Sequence, residues 1–382
     1  MLEALFAVPL CAAIFFSLFG WWRVLKFKSG HPVESGGVKP GEACVLQPLH
    51  GADGETYEAL ATICRQEPPP AEIRYGVDDP ADSSVAVVER LKKDFPSIPG
   101  RLVVGAEPSM PNGKIANLTR LSQGVTAPVV VAVDQDIAAP PRHLAAILAP
   151  LADADTGMVT ALYRLGKPAG VGSALEFLSI HADFFPSVLV SEKMEGGLKF
   201  AFGATMAVRR DLLDRIGGFA ALGDYLADDH ELGARVAAAG KRVVLSGSLV
   251  EHAPGKLGLA EYARRQVRAA RTHRVCRPVG YALSVLTQGY PWLAGLYAAG
   301  GASPLFFVML GAWCAARAAS AVSSNAVLSE GKAVWWPLLL LPFHEALRFI
   351  FWLLAFTGSR VAWGGKIYRV SRDGKMTEQG KD

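Results

Sequence analysis

Two kinds of apolar pattern divide the chain. At both ends the apolar positions run together: residues 2–25 are predominantly apolar, and the same character returns over 281–301, 305–322 and 335–356. A stretch of about twenty apolar residues is long enough to cross the ~30 Å hydrocarbon layer as a helix. Between about 40 and 275 the apolar residues come instead in short β-branched runs separated by amphipathic stretches. Runs at 43–46, 72–77, 101–104 and 129–133 read as strands, and 56–65, 83–92 and 115–123 as helices. Strand and helix patterns in alternation predict an α/β fold with a mostly parallel sheet and crossover helices. The run 129–133 is apolar on both faces, as a buried parallel strand must be, and Pro128 and Pro140 punctuate it.

This run ends abruptly in Asp134, Gln135 and Asp136. Carboxylates at i and i+2 just past a strand lie on the same side of the backbone, where they can share one hard divalent cation with a diphosphate; a polar turn closing a strand is the plain alternative. Ligands of parallel sheets bind beyond the carboxyl ends of the strands, so the acid-rich turn after 72–77 (Asp78, Asp79, Asp82) converges on the same crevice. Asp82 serves equally well as the cap of the following helix. Lys114, in the loop before 115–123, meets a phosphate or merely solvates its loop. In the second half, 200–208 reads as a small-residue strand, followed by a helix from Arg210 and the turn Gly217-Gly218-Phe219. Asp228 and Asp229 then open a helix running to Ala239. Acids at a helix start are dipole partners, or here a base poised near an acceptor hydroxyl.

Composition changes the picture in one respect. With 51% hydrophobic residues and a mean hydropathy of +0.25, the 382-residue chain is too apolar for a purely soluble protein. Trp21, Trp22, Arg23, Lys26 and Lys28 close the first apolar run as an aromatic belt with a positive flank, and no cleavage-type small residues follow. That is a retained anchor with its C-terminal side cytoplasmic. Three further crossings would leave the C-terminus outside, yet Arg360, Lys366, Arg369, Arg372 and Lys375 favour inside. At least one C-terminal segment is therefore expected to be interfacial or re-entrant, and Pro342, His344, Glu345 and Arg348 point to the last one. Five cysteines without a Cys-x-x-Cys pair indicate neither a zinc site nor a disulfide framework. The net charge of +4 is mild and its basic residues flank the apolar segments, so lipid headgroups suit the chain and nucleic acid does not. The expected organisation is an anchor over 1–28, a cytoplasmic domain over 40–275, membrane or interfacial helices over 276–358 and a basic cytoplasmic tail over 359–382.

The order Pro48-Leu49-His50-Gly51, Val77-Asp78-Asp79-Pro80, Val133-Asp134-Gln135-Asp136-Ile137, Phe202-Gly203-Ala204-Thr205, Gly217-Gly218-Phe219, Leu226-Ala227-Asp228-Asp229 and Arg265-Gln266-Val267-Arg268 resembles the ceramide glucosyltransferase family. Within it, the chain is most similar to bacterial glycosyltransferases associated with hopanoid biosynthesis. The resemblance covers nearly the whole chain and implies a GT-A type (Rossmann-like) domain in a multi-pass protein of the bacterial inner membrane, with the domain facing the cytoplasm. It implies Asp79 or Asp82 near the uridine of a UDP-sugar, Asp134 and Asp136 as the Mg2+ or Mn2+ and diphosphate motif, and Asp229 as general base with Asp228 beside it. It also implies His181 near the donor, where an ordinary helix-surface or core histidine is the alternative.

The family's basic motif ends in Arg-Trp, whereas here Arg265 and Arg268 are followed by Ala269. The two arginines, at i and i+3 on one helical face, can grip a diphosphate, while Arg264, Arg271, Arg274 and Arg277 also make a basic interfacial helix. The implied reaction is a single inverting displacement from a UDP-sugar to a lipid hydroxyl. A hopanoid polyol with UDP-N-acetylglucosamine is the first expectation and ceramide with UDP-glucose the second. A processive polysaccharide synthase, a polyprenyl-phosphate glycosyltransferase and an inactive membrane scaffold are the rivals.

Overall fold

The run 129–133 becomes the centre of a seven-stranded sheet. The computed structural model describes residues 2–27, 38–105, 110–252, 255–363 and 366–379; Lys28 of the basic flank lies outside the described residues. Ten strands build the domain: β1 Ala43–Pro48, β2 Glu72–Val77, β3 Gly100–Val104, β4 Val129–Val133, β5 Ile137–Ala138, β6 Thr156–Thr160, β7 Tyr163–Leu165, β8 Thr205–Arg209, β9 Arg242–Leu245 and β10 Val250–His252. The large sheet has the order β3-β2-β1-β4-β8-β6-β9, and β5-β10-β7 form a small second sheet. β1 to β4 are mutually parallel where paired, β8 runs antiparallel to both β4 and β6, and β6 and β9 are parallel. The expected mostly parallel α/β fold is therefore present, with one reversed strand at its middle.

Side-chain alternation divides the core in two. Val45, Val131 and Ala207 face one apolar layer with Leu60 and Ile63 of helix α2 (Thr56–Cys64) and Val88 of α3 (Ser84–Asp94). Leu46, Val130 and Met206 face the other with Ile115 and Leu118 of helix α4 (Gly113–Ser122). Every residue of β4 is buried, because a central strand has no solvent face. α5 (His143–Leu148) leads towards β6. α6 (Val171–Leu178), a π-helical turn over Ser179–Phe184 and α7 (Phe185–Glu195) form a continuous helix against the second layer. α8 (Arg210–Arg215), α9 (Asp228–Ala238) and α10 (Leu259–Cys276) complete the domain.

The expected strand over 200–208 begins only at Thr205. Upstream, backbone amides turn to side chains instead of a neighbouring strand: Phe202 N–H donates to Thr160 Oγ1 at 2.9 Å and Gly203 N–H to Asp229 Oδ2 at 2.8 Å. That diversion makes part of the site.

The helix α1 (Leu2–Lys26) packs along α13 (Pro304–Leu328), and both are long and apolar enough to cross a membrane. So are 171–195 and 336–357, but the first is largely buried within the fold. The apolar run 281–301 is not one helix. It breaks into α11 (Pro278–Leu283), a 3-10 turn and α12 (Tyr290–Gly300), and an 11-residue helix rises only about 16 Å. The break sits at Gly289, where an added Cβ would lie 2.3 Å from the Trp313 ring. α12 ends beside Glu3, and α13 starts there too, with Ser303 Oγ donating to Glu3 at 3.3 Å; α13 then returns so that Leu328 joins the domain core. α14 (Leu341–Leu354) lies against α10 and α6.

Residues after 358 form a three-stranded antiparallel sheet, β11 Arg360–Trp363, β12 Lys366–Val370 and β13 Met376–Glu378. Tyr368, Val370 and Met376 bury against Leu226 and Val275. Met376 N–H donates to Asp224 O at 2.7 Å and Leu226 N–H to Gly374 O at 3.2 Å, so this sheet clamps the turn that leads into Asp228.

Candidate active site

The loops beyond β1, β2 and β4 are tied to one another. Gln135 Oε1 accepts from His50 N–H at 2.7 Å, and Asp82 accepts from Gly51 N–H at 2.9 Å and Ser84 N–H at 2.7 Å. Asp82 is thus both a cap and a cross-tie; burial alone would raise its carboxyl, but these amides hold it lower than usual. Asp79 is exposed and accepts from Ala81 N–H, and Asp78 pairs with Arg120 at 3.3 Å.

Three carboxylates, Asp134, Asp228 and Asp229, and a lysine meet beside Gly203. Asn112 caps α4 and so places Lys114 in its first turn, with Nζ 2.6 Å from Asp134 Oδ1 and 3.8 Å from Asp228 Oδ2. A Cβ built on Gly203 would lie 3.1 Å from Lys114 Nζ, 3.4 Å from Asp229 Oδ2 and 3.6 Å from Asp134 Oδ2. A side chain at 203 would crowd the point these ends surround, and glycine leaves it open. Asp229 accepts from Gly203 N–H and, at 2.7 Å, from His230 N–H. Burial and the adjacent Asp228 charge push Asp229 up to about 6, against the pull of Lys114 and these amides. Burial likewise raises Asp134 despite Lys114, and the Lys114 ammonium overcomes its own desolvation because Asp134 and Asp228 face it.

Asp136 turns the other way, its Oδ2 2.9 Å from His252 Nε2 at the end of β10. Burial alone would depress His252, but Asp136 raises it; reciprocally, His252 lowers Asp136 against burial. Sequence reasoning passed over His252. Its signal is a polar residue ending a three-residue strand whose partners are Ile137 and Leu165, which emerges only from the pairing. Asp134, Asp136 and His252 offer two carboxylates and one imidazole, donor types that suit a hard divalent cation, but their ligand atoms are not gathered within 4.8 Å of one another, and Asp134 is paired with Lys114. His252 Nδ1 is buried without a partner among the described residues.

α10 lies across this mouth. Arg265 is within electrostatic reach of His252 while pairing with Glu261 at 2.8 Å, and Arg268 faces Glu176 and Tyr163. At its far end Cys276 approaches Asp229, and burial reinforced by that carboxylate pushes the thiol up to about 12. His181 is not brought to this group. Its ring stacks on Phe177 at 3.7 Å behind β7, where Nε2 accepts from Leu165 N–H at 3.3 Å. Nor is a cavity of about 670 Å³ part of it, since Cys44, Glu72 and Arg101 line it at the amino ends of the strands.

A second charged group, Asp183, His344 and Glu345, brings its potential ligand atoms within 4.8 Å of one another. Arg317 and Arg348 already occupy it. Arg317 reaches Asp183 Oδ1 at 2.8 Å and Glu345 Oε1; Arg348 reaches Asp183 Oδ2 and Glu345 Oε2, both at 2.9 Å. All four carboxylate oxygens have an arginine, so no cation is called for.

Known proteins agree with this architecture. A mannosyltransferase from Pyrobaculum calidifontis, solved with GDP-Man and Mn2+, superposes with a TM-score of 0.55 over 94% of this chain and 98% of that one at 22% identity, a likeness of fold. Ceramide glucosyltransferase 3 of Caenorhabditis elegans is 22% identical over 222 residues, 58% of this chain and 48% of that protein. Ceramide glucosyltransferase 1 of the same organism matches at 22% over 221 residues, 58% and 47%. The matched stretch spans about half the length of each relative. The profile of glycosyl transferase family 21 matches residues 4–376, and the chain belongs to that family.

Proposed function

We propose that this protein is a membrane-bound inverting glycosyltransferase that moves a sugar from a UDP-sugar to the hydroxyl of a membrane lipid. The observation that carries the reading is Asp229: a half-buried carboxylate, raised to about 6 and fixed by two backbone amides, opens onto the space shared with Asp134 and Lys114. A base of that strength accepts a proton from an alcohol as the new bond forms. Attack at the anomeric carbon from the face opposite the diphosphate inverts it, giving a β-linked product from an α-linked donor.

The remaining residues bind and orient. Asp134, Asp136 and His252 would hold Mg2+ or Mn2+, which when bound supplies positive charge to the diphosphate leaving group. Lys114 holds Asp134 in place and adds its own charge beside it. The loops joined by Asp82 and Gln135, with Asp79 at their rim, form the nucleoside end of the crevice. Arg265 and Arg268 flank the mouth. α1 and α13 span the bacterial inner membrane, the broken 278–300 segment climbs beside α1, and α14 lies at the cytoplasmic interface against α10. That arrangement leaves the domain and the basic strands β11 to β13 on the same cytoplasmic side. It also brings the site to its acceptor, which matters because withdrawing a lipid chain from the bilayer costs ~0.8 kcal/mol per CH₂.

The preferred acceptor is a hopanoid polyol such as bacteriohopanetetrol, with UDP-N-acetylglucosamine as donor. The two ceramide glucosyltransferase relatives favour a second reading, ceramide with UDP-glucose. Purified protein in nanodiscs, offered a panel of UDP-sugars with both lipids in competition and read by mass spectrometry, decides between them. Glycosylated hopanoid that disappears in Asp229→Ala supports the first; glycosylated ceramide replaces it with the second. Metal-dependent UDP binding with no product overturns both.

A further inference from the structure

The arginines of α10 are not all neutralised. Arg265 pairs with Glu261 at 2.8 Å and Arg277 with Glu195 at 2.5 Å. Arg271 and Arg274 sit where α10 meets the turn out of α14, and neither has a carboxylate within ion-pair distance among the described residues. Both guanidiniums close instead on one short stretch of backbone. Arg271 Nη1 donates to Arg360 O at 2.5 Å, Arg274 Nη2 donates to Gly358 O at 2.9 Å, and a Cβ built on Gly358 would lie 3.3 Å from Arg271 Nη2. The Nε atoms of both are buried without a partner among the described residues. Partial burial and the neighbouring Arg274 charge both lower Arg271 from its ordinary value. Two like charges are thus held together with one carbonyl apiece and no counter-charge among the described residues.

The surroundings of this pair are apolar. The Arg274 guanidinium lies over the Phe356 ring at 5.8 Å, and Phe356 packs against Trp352 at 4.9 Å and against Tyr281 of α11 at 5.6 Å. Trp352 Nε1 donates to Tyr281 O at 3.0 Å, which ties α11 to α14. Outward from this cluster Val279 and Leu283 of α11, Ile350 and Leu353 of α14, and Phe356 just beyond it are exposed. Large apolar side chains in the open, edged by tyrosine, tryptophan and arginine, make a surface suited to the boundary between acyl chains and headgroups.

The occupant follows from the two halves of the patch. The apolar side chains call for acyl chains, and the guanidinium pair calls for an anion beside them, for which the oxygens of a phosphate are a matching acceptor set. A zwitterionic headgroup would bring an ammonium up to two arginines with no carboxylate to receive it. A net-negative headgroup brings only the phosphate. We propose that Arg271 and Arg274 bind the phosphate of an anionic membrane phospholipid whose chains lie along α11 and α14. This lipid is held and not glycosylated, so the site is independent of the reaction proposed above.

The test titrates full-length protein in detergent with phosphatidylglycerol and, separately, with phosphatidylcholine of the same acyl chains, reading bound lipid by native mass spectrometry, which needs no turnover. Phosphatidylglycerol should bind about tenfold more tightly, the preference expected of two arginines facing anionic lipid, and the preference should shrink as salt is raised. Arg271→Gln combined with Arg274→Gln should bind the two lipids alike, whereas Arg271→Lys combined with Arg274→Lys should keep most of the preference. Equal binding of both lipids by the wild type overturns the site, as does a preference that survives in the glutamine variant. Inorganic phosphate that displaces phosphatidylglycerol at equal concentration makes this a site for a free anion and overturns the lipid assignment. Should the glutamine variant fail to fold, the wild-type salt series decides: a preference indifferent to salt overturns the proposal.

Discussion

Two clusters of charge among the described residues, one in the helical region and one at the ends of the strands, are built on opposite principles. In the helical region two arginines face two carboxylates and every carboxylate oxygen is taken. At the ends of β4 and β10 and the start of α9, Asp134, Asp136, Asp228 and Asp229 face, among the described residues, only Lys114 and His252. The first cluster is finished, and its charges serve to hold helices together. The second is left in deficit, and its raised carboxyls, Asp134 and Asp229, mark the cost of crowding acids away from water. A surplus of one sign is therefore better evidence for chemistry than burial of charge as such.

The sharpest way to break this contrast is to neutralise one charge in each cluster. Asp229→Asn should lower turnover about 10³-fold, within the range of a lost general base, while thermal unfolding and UDP binding stay near wild type. Unfolding of Asp229→Asn at a markedly lower temperature would make the deficit structural. Arg317→Ala should do the reverse, costing about 3 kcal/mol of stability by stranding Asp183 and Glu345, seen as a lower unfolding temperature in detergent. His252→Asn should weaken Mn2+ affinity about tenfold by calorimetry, in line with loss of a metal partner or its orienting neighbour; unchanged affinity would remove His252 from the ligand set.

The smallest effect is the one with pH. Asp229 ionises only near 6 in the folded chain, above its value in the unfolded chain. Its contribution to stability is thus full below about pH 4 and lost as pH rises through about 6, whereas turnover rises over the same interval as the base ionises. Metal-free wild-type protein should show that stability loss and Asp229→Asn should not; parallel pH curves would assign the titration elsewhere.

What could be foreseen follows the same division. The run 129–133 announced β4 to the residue, because apolar side chains on both faces leave a central strand as the only economical solution, and Asp134 and Asp136 had nowhere to go but its carboxyl end. The pair Asp228 and Asp229 was visible as acids opening a helix. His252 and Tyr163 were not, since each lies on a three-residue strand whose position depends on long-range pairing. The reversal of β8 was equally hidden: alternation of residues says which face is buried and nothing about direction. The 281–301 run read as one crossing, yet Gly289 against Trp313 allows the chain to bend there. Basic residues near the chain's far end suggested a basic cytoplasmic tail and gave no sign of a sheet, whose buried face Tyr368, Val370 and Met376 supply.

That sheet has a consequence for timing. The carbonyl of Asp224 and the amide of Leu226 receive their partners from Met376 and Gly374, which leave the ribosome long after α9 has been made, and after α11 to α14. A newly made chain therefore threads its apolar helices into place before the turn ahead of Asp228 is clamped. The order of synthesis itself therefore leaves the turn ahead of Asp228 unclamped until every apolar helix has been made.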